Sequence, residues 1–193
     1  MGEAIVSSLR ESELWLLSFY RQSEIAGALF FGRLAKNIRR GAIQRDMAKH
    51  FADESQHAWY WTRCVHELGA DVQNLPFTYQ DQYIEAGGMP VNMMEILAVT
   101  LAFERRVIGQ YVAHSRAPGI AQPVVDTLAA IMTDEKWHIR WVTEALDGMK
   151  AEYGADVVEA TLKRYIDADR EVYRSFLDEY AERMSGVMQF KSK

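Results

Sequence analysis

Two short stretches of the chain share the pattern Asp-Glu-x-x-His: Asp53-Glu54-Ser55-Gln56-His57 and, in the second half, Asp134-Glu135-Lys136-Trp137-His138. A single glutamate precedes each stretch: Glu24 lies 30 residues before Glu54, and Glu104 lies 31 residues before Glu135. Residues three or four apart share one face of an α-helix, so the glutamate and histidine of each stretch can bind one metal ion from the same helix. The sequence therefore contains a duplicated unit with four carboxylates and two imidazoles.

This set of donors is the one that four-helix bundles use to hold two metal ions. The two Glu-x-x-His motifs alone are only mildly surprising, but the preceding aspartates and the matched offsets add weight. The helical neighbours of Glu24 and Glu104 are also apolar or small, and a carboxylate on such a face is costly to bury unless it is paired or bound to metal. We therefore predict a site for two metal ions, with these ligands: Glu24, Glu54, His57, Glu104, Glu135 and His138.

The composition is that of a globular chain, with 49% hydrophobic and 25% charged residues, and we expect one domain over residues 1–193. We predict neither membrane insertion nor export, since no apolar stretch approaches the roughly 18 residues that a membrane span needs. The single cysteine, Cys64, excludes an internal disulfide framework and a Cys-x-x-Cys metal site, and the expected location is the cytoplasm. A net charge of −5 argues mildly against generic nucleic-acid binding.

Apolar residues recur at helical spacing over most of the chain and predict five long helices. Ser8 and Glu11 form a capping box, Gly41 marks a tight turn, and Pro123 suits the first turn of a helix. The predicted helices cover about 9–38, 42–68, 92–115, 123–149 and 156–184. Residues 70–90 show no clear period and are expected to form a connection of about twenty residues.

The spacing of these elements predicts how the chain folds. A short turn, a long connection and another short turn predict two antiparallel helix hairpins joined by one long crossover. In that arrangement Glu24 lies level with Glu54, and Glu104 lies level with Glu135. The fold class is therefore all-α: a ferritin-like four-helix bundle with one long crossover and an additional long C-terminal helix. That fifth helix is expected either to fold across the bundle or to pair with a second copy in a homodimer.

The six predicted ligands and the doubled Asp-Glu-x-x-His resemble the ferritin-like di-iron carboxylate superfamily over roughly residues 9–150, most of all bacterioferritins and rubrerythrin-like proteins. The resemblance implies that Glu54 and Glu135 bridge two irons, that Glu24 and Glu104 are terminal ligands, and that His57 and His138 each bind one iron. It also implies a role for Asp53 and Asp134, which would hold the imidazole N–H of the opposite hairpin's histidine. An ordinary place on the helix surface is the alternative for these two aspartates.

Other features differ from the best-known members of that superfamily. Rubrerythrins carry an additional acid one turn from the glutamate of the third helix, where this chain has Leu101 and Val107. They also carry a rubredoxin domain with cysteine-bound iron, which a single cysteine cannot form. Ferritin cages end in a short fifth helix, whereas the one predicted here has about thirty residues. These departures argue against cage storage and against the usual peroxidase activity.

The leading functional interpretation is a non-haem di-iron oxidoreductase that activates dioxygen or peroxide, as an oxidase or oxygenase that includes the hydroxylase type. Its partners would be dioxygen or peroxide and an external electron donor. The alternative is ferroxidase activity, iron handling or peroxide scavenging of the rubrerythrin-like kind, without an organic substrate. A third interpretation is a scaffold for another metal pair such as manganese.

Further residues are candidates for supporting roles. Those that could line a substrate cavity near the metals, or merely pack in the core, are Tyr20, Gly27, Ala28, Trp61 and Trp141. We predict that His50, His66 and His114 are structural or lie on the surface. Basic residues around the first hairpin turn form either a solvated helix end or a site for an anionic partner such as RNA or an acyl-carrier protein; they are Arg33, Lys36, Arg39, Arg40, Arg45 and Lys49.

Overall fold

The computed structural model describes residues 10–37, 41–75, 79–184 and 187, which form α-helices and no β-strand. The helices are α1 (Glu11–Asn37), α2 (Gly41–Glu67), α3 (Tyr79–Gly87), α4 (Met93–His114), α5 (Gln122–Gly148), α6 (Lys150–Tyr153) and α7 (Ala155–Met184). The predicted fold class, an all-α bundle with a long crossover and a long additional helix, is confirmed. The predicted capping box at Ser8 lies outside the described residues.

Helices α1 and α2 form the first hairpin, and α4 and α5 form the second. The contacts between α1 and α2 show that the two helices run antiparallel. Gly32, late in α1, lies against Phe51, whereas Arg21, earlier in α1, donates a hydrogen bond to Thr62, later in α2. The two hairpins meet where α2 packs against α5. This arrangement brings the middles of the four long helices together, where the predicted ligands lie.

Helix α3 lies within the crossover, in the segment without helical periodicity that we expected to be a plain connection. Its stability comes from packing on α7 rather than from a local pattern. The buried Tyr83 donates its hydroxyl to the Tyr165 carbonyl at 2.8 Å, and Gly87 lies close against the Tyr165 ring. The helix therefore forms because a distant partner holds it, which local periodicity does not reveal.

Helix α7 folds across the bundle and packs mainly against α4 and α3, which is one of the two arrangements expected for it. The ring of Phe176 stacks on Phe19 of α1 at a centroid distance of 4.7 Å. Arg106 of α4 forms an ion pair of 3.1 Å with Asp169 of α7, and both side chains are largely buried. None of the helices in the described part of the chain has the length and apolar character required to span a membrane.

Candidate metal centre

The six side chains that the sequence singled out come together at the centre of the bundle. Helix α1 supplies Glu24, α4 supplies Glu104, and α2 and α5 each supply one Glu-x-x-His pair. All six are buried, and Glu135 is only 1% exposed. Four carboxylates gathered in an apolar interior need compensating charge, because an isolated buried carboxylate is strongly destabilising.

The donor atoms form two overlapping groups, and within each group they lie within 4.8 Å of one another. One group contains Glu24, Glu54, His57 and Glu135, and the other contains His50, Glu54, Glu104 and His138. Glu54 belongs to both. Carboxylate oxygens and imidazole nitrogens are ligands that iron and related transition metals accept, so the buried cluster fits a metal site.

The two motif histidines are oriented alike. His57 points Nδ1 at Glu135 Oε1, 3.4 Å away, while its Nε2 lies 3.3 Å from Asp134 Oδ2. His138 points Nδ1 at Glu135 Oε2, 3.2 Å away, while its Nε2 lies 3.1 Å from Asp53 Oδ2. Each histidine therefore presents one nitrogen to the carboxylate cluster and holds the other against an aspartate of the opposite hairpin, which is how proteins usually orient a metal-binding imidazole.

Asp53 also connects the centre to the protein surface. Lys49, one turn earlier on α2, forms an ion pair with the same carboxylate oxygen that contacts His138. The Lys49 ammonium group lies 4.2 Å from the centroid of the Trp137 ring, and its side chain is half exposed. The side chain of Asp134, which contacts His57, is one-third exposed.

Proton affinities in the cluster reflect its crowded negative charge. Burial raises the pKa of Glu54 and of Glu104 well above the usual value, and neighbouring carboxylates raise it further. Burial alone would lower the pKa of His138, but its contacts with Asp53 and Glu135 raise it to about 9. In His57 the contacts with Glu135 and Glu24 likewise outweigh burial and raise the pKa to about 12. The cluster thus retains protons at neutral pH, and bound cations would replace them.

His50 is buried beside the cluster, although the sequence led us to expect a structural or surface histidine. Its Nε2 lies 3.2 Å from Glu54 Oε1 and 3.1 Å from Glu104 Oε1. The signal that could have revealed it is its spacing, since His50 precedes Glu54 by four residues and shares its helix face. His114 is also buried, as a structural histidine would be, whereas His66 is exposed.

Tyr111 is a second neighbour of the cluster that the sequence analysis did not assign to the site. Its hydroxyl donates a hydrogen bond to Glu24 Oε1. The Tyr20 ring meets it edge-on, with centroids 4.9 Å apart. Tyr111 lies two helical turns after Glu104 on the same face of α4, and this spacing is the signal that could have revealed it.

A cavity of about 360 Å³ between α1 and α4 reaches the carboxylates of Glu24, Glu54, Glu104 and Glu135. Its walls are mainly apolar and include Ile25, Leu29, Phe30, Val99, Phe103 and Val107. Tyr83 and Pro90, from α3 and the segment after it, also line it. The crossover therefore contributes to the boundary of the cavity.

The cavity differs from the one expected from the sequence, because among the five predicted residues only Gly27 lines it. Tyr20 and Trp61 pack on each other with centroids 5.1 Å apart, and Trp141 meets the His50 ring edge-on at 5.7 Å. Ala28 is buried in the core. These four side chains are used in packing between helices, whereas the cavity opens on the α1–α4 side.

The basic residues near the first turn are only partly described. Arg33 lines the cavity, Lys36 is exposed, and Arg45 lies 3.9 Å from Asp46. Arg39 and Arg40 lie outside the described residues. The anionic partner suggested for this cluster remains a prediction.

No protein-family model matches the sequence, and no curated protein matches it either. Among solved structures, the chain is similar to a protein from Synechococcus described as "Protein 19 with aldehyde deformylating oxidase activity", with a TM-score of 0.72 and 18% sequence identity. The similarity covers 95% of this chain and 83% of that one. At this level of identity the similarity bears on the fold. The chain therefore has a ferritin-like helical fold whose buried glutamate and histidine groups fit a metal site.

Proposed function

We propose that this protein is a di-iron oxidoreductase that uses dioxygen or peroxide to oxidise a small, largely apolar organic substrate. The observation that carries the proposal is the apolar cavity that opens onto the buried carboxylate and histidine cluster. A cluster that served only to oxidise or hold iron would not require such a cavity. The oxidase activity in the description of the Synechococcus protein supports the same class of reaction.

In this proposal two irons are held by the residues that the sequence singled out: Glu24, Glu54, His57, Glu104, Glu135 and His138. Once bound, iron supplies the ability to bind and reduce dioxygen or peroxide. The four carboxylates balance the charge of two ferrous ions. Glu54 presents oxygens to both donor groups, which supports a pair of ions rather than two separate sites.

The cavity walls favour a substrate with an apolar body. A volume of about 360 Å³ lies at the lower end of the range of small-molecule sites. Side chains such as Val99 and Phe103 line the space beside the carboxylates and offer apolar contact to a substrate. An exclusively ionic or strongly hydrated substrate would lose its hydration without compensation there.

Thr100 offers one polar contact within this apolar surrounding. It lines the cavity one turn before Glu104 and is 4% exposed, and its hydroxyl has no hydrogen-bond partner among the described residues. A buried hydroxyl without a partner is costly, and a substrate oxygen in the cavity would satisfy it. We therefore expect an apolar molecule with one oxygen-bearing group, such as an aldehyde or an alcohol.

Several side chains around the cluster position protons. The Tyr111 hydroxyl donates a hydrogen bond to Glu24 Oε1. Asp53 accepts hydrogen bonds from His138 and from Lys49. Hydrogen bonds from His138 to Asp53 and from the half-exposed Lys49 to Asp53 connect the buried centre with solvent. Protons consumed in reducing dioxygen would have a route of polar groups on this side of α2.

The proposal is tested with protein that is loaded anaerobically with ferrous iron and then exposed to dioxygen, a chemical electron donor and straight-chain aldehydes or alcohols of increasing length. We expect two irons per chain and oxidised organic products. A Glu135→Ala variant should lose both, whereas Glu144→Ala, at an exposed position on the same helix, should behave as the wild type. Uptake of many irons without organic product would support the ferroxidase alternative instead, and activity restored by manganese alone would overturn the assignment of iron.

A further inference from the structure

We infer that His50 is a third histidine ligand of the metal pair, so that the two ions have different sets of donors. The inference rests on the proposed metal centre and adds a ligand to it. One donor group would then provide a single imidazole, from His57, with three carboxylates. The other would provide two imidazoles, from His50 and His138, with two carboxylates.

The position of His50 Nε2 suits coordination. It lies 3.2 Å from Glu54 Oε1 and 3.1 Å from Glu104 Oε1. Two donors that bind one ion at about 2.1 Å are about 3.0 Å apart at an octahedral angle and about 3.4 Å apart at a tetrahedral angle. The same nitrogen therefore stands at the separation from both carboxylates that neighbouring ligands of one metal ion have.

Packing holds the His50 ring in this orientation. The ring is fully buried between the Phe31 ring, at a centroid distance of 3.9 Å, and the His138 ring, at 3.6 Å. Trp141 closes a third side edge-on. A ring restrained on three sides presents Nε2 to the carboxylates without a further loss of rotamer entropy on metal binding.

The sequence repeat shows that this histidine is an addition to one half of the site. On α2, Glu54 has His57 three residues later and His50 four residues earlier. On α5, Glu135 has His138 three residues later, but the position four residues earlier is the buried, apolar Ile131. The duplicated motif is therefore symmetric in its six principal donors and asymmetric at this seventh position, which makes isoleucine a matched replacement for His50.

The test uses two variants of the proposed ligand, His50→Ile and His50→Gln. His138→Gln is the reference for a lost ligand, and His66→Gln is the control at an exposed histidine. Each protein is titrated anaerobically with ferrous iron, and circular dichroism checks that it folds. The proteins are labelled with ¹⁵N-histidine, and pulsed electron paramagnetic resonance of the half-oxidised iron pair counts the histidine nitrogens bound to metal. Neither measurement depends on turnover.

We expect three bound histidines in the wild type and in His66→Gln, and two in both His50 variants. Loss of a residue that only hydrogen-bonds to a metal ligand typically lowers metal affinity by about 10–100-fold. We expect loss of a direct ligand to cost more, so the affinity of the His50 variants for one of the two ions should fall by more than about 100-fold. If His50→Gln keeps the wild-type affinity and the wild type shows only two bound histidines, His50 donates a hydrogen bond and the inference is wrong. Failure of the wild type to bind a pair of ions would instead overturn the proposed centre itself, and iron binding by three histidines without substrate oxidation would overturn only the proposed function.

Discussion

Gly27 of α1 lies directly against the carboxylate of Glu54 on α2. A Cβ atom at Gly27 would overlap Glu54 Oε2 and would lie 3.3 Å from Glu54 Cδ. Gly27 also lines the cavity between α1 and α4. Because Gly27 has no side chain, the Glu54 carboxylate, which belongs to both donor groups, can lie against α1, and the adjoining part of the cavity stays open.

Replacing Gly27 by alanine should weaken metal binding, because Glu54 must turn away from the donor groups to avoid the new methyl group. The metal-free protein should not lose stability to the same extent, since alanine is favoured over glycine in a helix by about 0.5–1 kcal/mol. Ferrous-ion titration and thermal unfolding of the metal-free protein measure the two effects. Gly109→Ala is the matched control, because a Cβ at Gly109 meets open space; equal metal affinity in the two variants would contradict the prediction.

Asp53→Ala should lower metal affinity by about 10–100-fold, since His138 loses the carboxylate that orients its imidazole. Lys49 would also lose its partner, but its half-exposed ammonium group is then solvated by water, so this loss contributes little. Isothermal titration with ferrous iron under anaerobic conditions measures the effect. Asp71→Ala, which removes a fully solvated aspartate, should leave the affinity unchanged. Wild-type affinity in Asp53→Ala would show that the packing of His138 alone is sufficient.

The stability of the metal-free protein should fall as pH rises from about 6.5 to about 9. The pKa of His138 is 6.5 in its ordinary state and about 9 in the folded protein, so its stabilising contribution is complete below 6.5 and is lost as pH rises through 9. The raised pKa values of Glu54 and Glu104 act in the same direction. The lowered pKa of Glu135 contributes stability that is complete above pH 4.5, so this contribution does not change between pH 6.5 and 9.

Thermal unfolding of metal-free protein at several pH values checks this expectation. Added ferrous iron should reverse the trend, because metal binding requires deprotonated ligands and therefore strengthens as pH rises. His138→Gln should weaken the pH dependence of the metal-free protein without abolishing it, because the raised pKa values of His57, Glu54 and Glu104 still contribute. A metal-free melting temperature that rises between pH 6.5 and 9 would contradict the prediction.

The sequence was informative about the donors because each motif is local. The spacing from Glu54 to His57 within one helix, and its repetition on α5, can be recognised without knowledge of the fold. The spacing of His50 and Glu54 is equally local, but the contact of His50 with Glu104 could not be recognised in this way, because Glu104 belongs to the other hairpin. Of the five residues proposed for a substrate cavity, Gly27 lines the cavity between α1 and α4. Spacing along a helix does not show which neighbouring helix a face meets, so the other walls of that cavity could not be derived from the sequence.

The helices show the same division between local and distant causes. Asn92 accepts a hydrogen bond from the Glu95 amide at the start of α4, and this cap is visible as a local pattern. Helix α3 depends on the contact of Tyr83 with Tyr165, 82 residues away, and no local pattern predicts it.

Thr100→Val should impair oxidation of an organic substrate while leaving iron binding intact. Valine keeps the shape of threonine but removes the only hydroxyl that we expect to hold a substrate oxygen, so KM should rise. Because that hydroxyl has no partner among the described residues, its removal should stabilise the protein by about 1–3 kcal/mol.

Thr143→Val on α5 is the control, since it removes a hydroxyl that already donates to the Ile139 carbonyl at 2.7 Å and is not among the residues that line the cavity. That variant should lose a little stability and keep its activity. Steady-state kinetics with a series of aldehydes, together with reoxidation of the iron in the absence of substrate, separates the two roles. If Thr100→Val slows iron reoxidation without substrate as much as it slows substrate oxidation, then Thr100 acts on the metal centre and not on a substrate. The cavity would then need another polar group to orient what it binds.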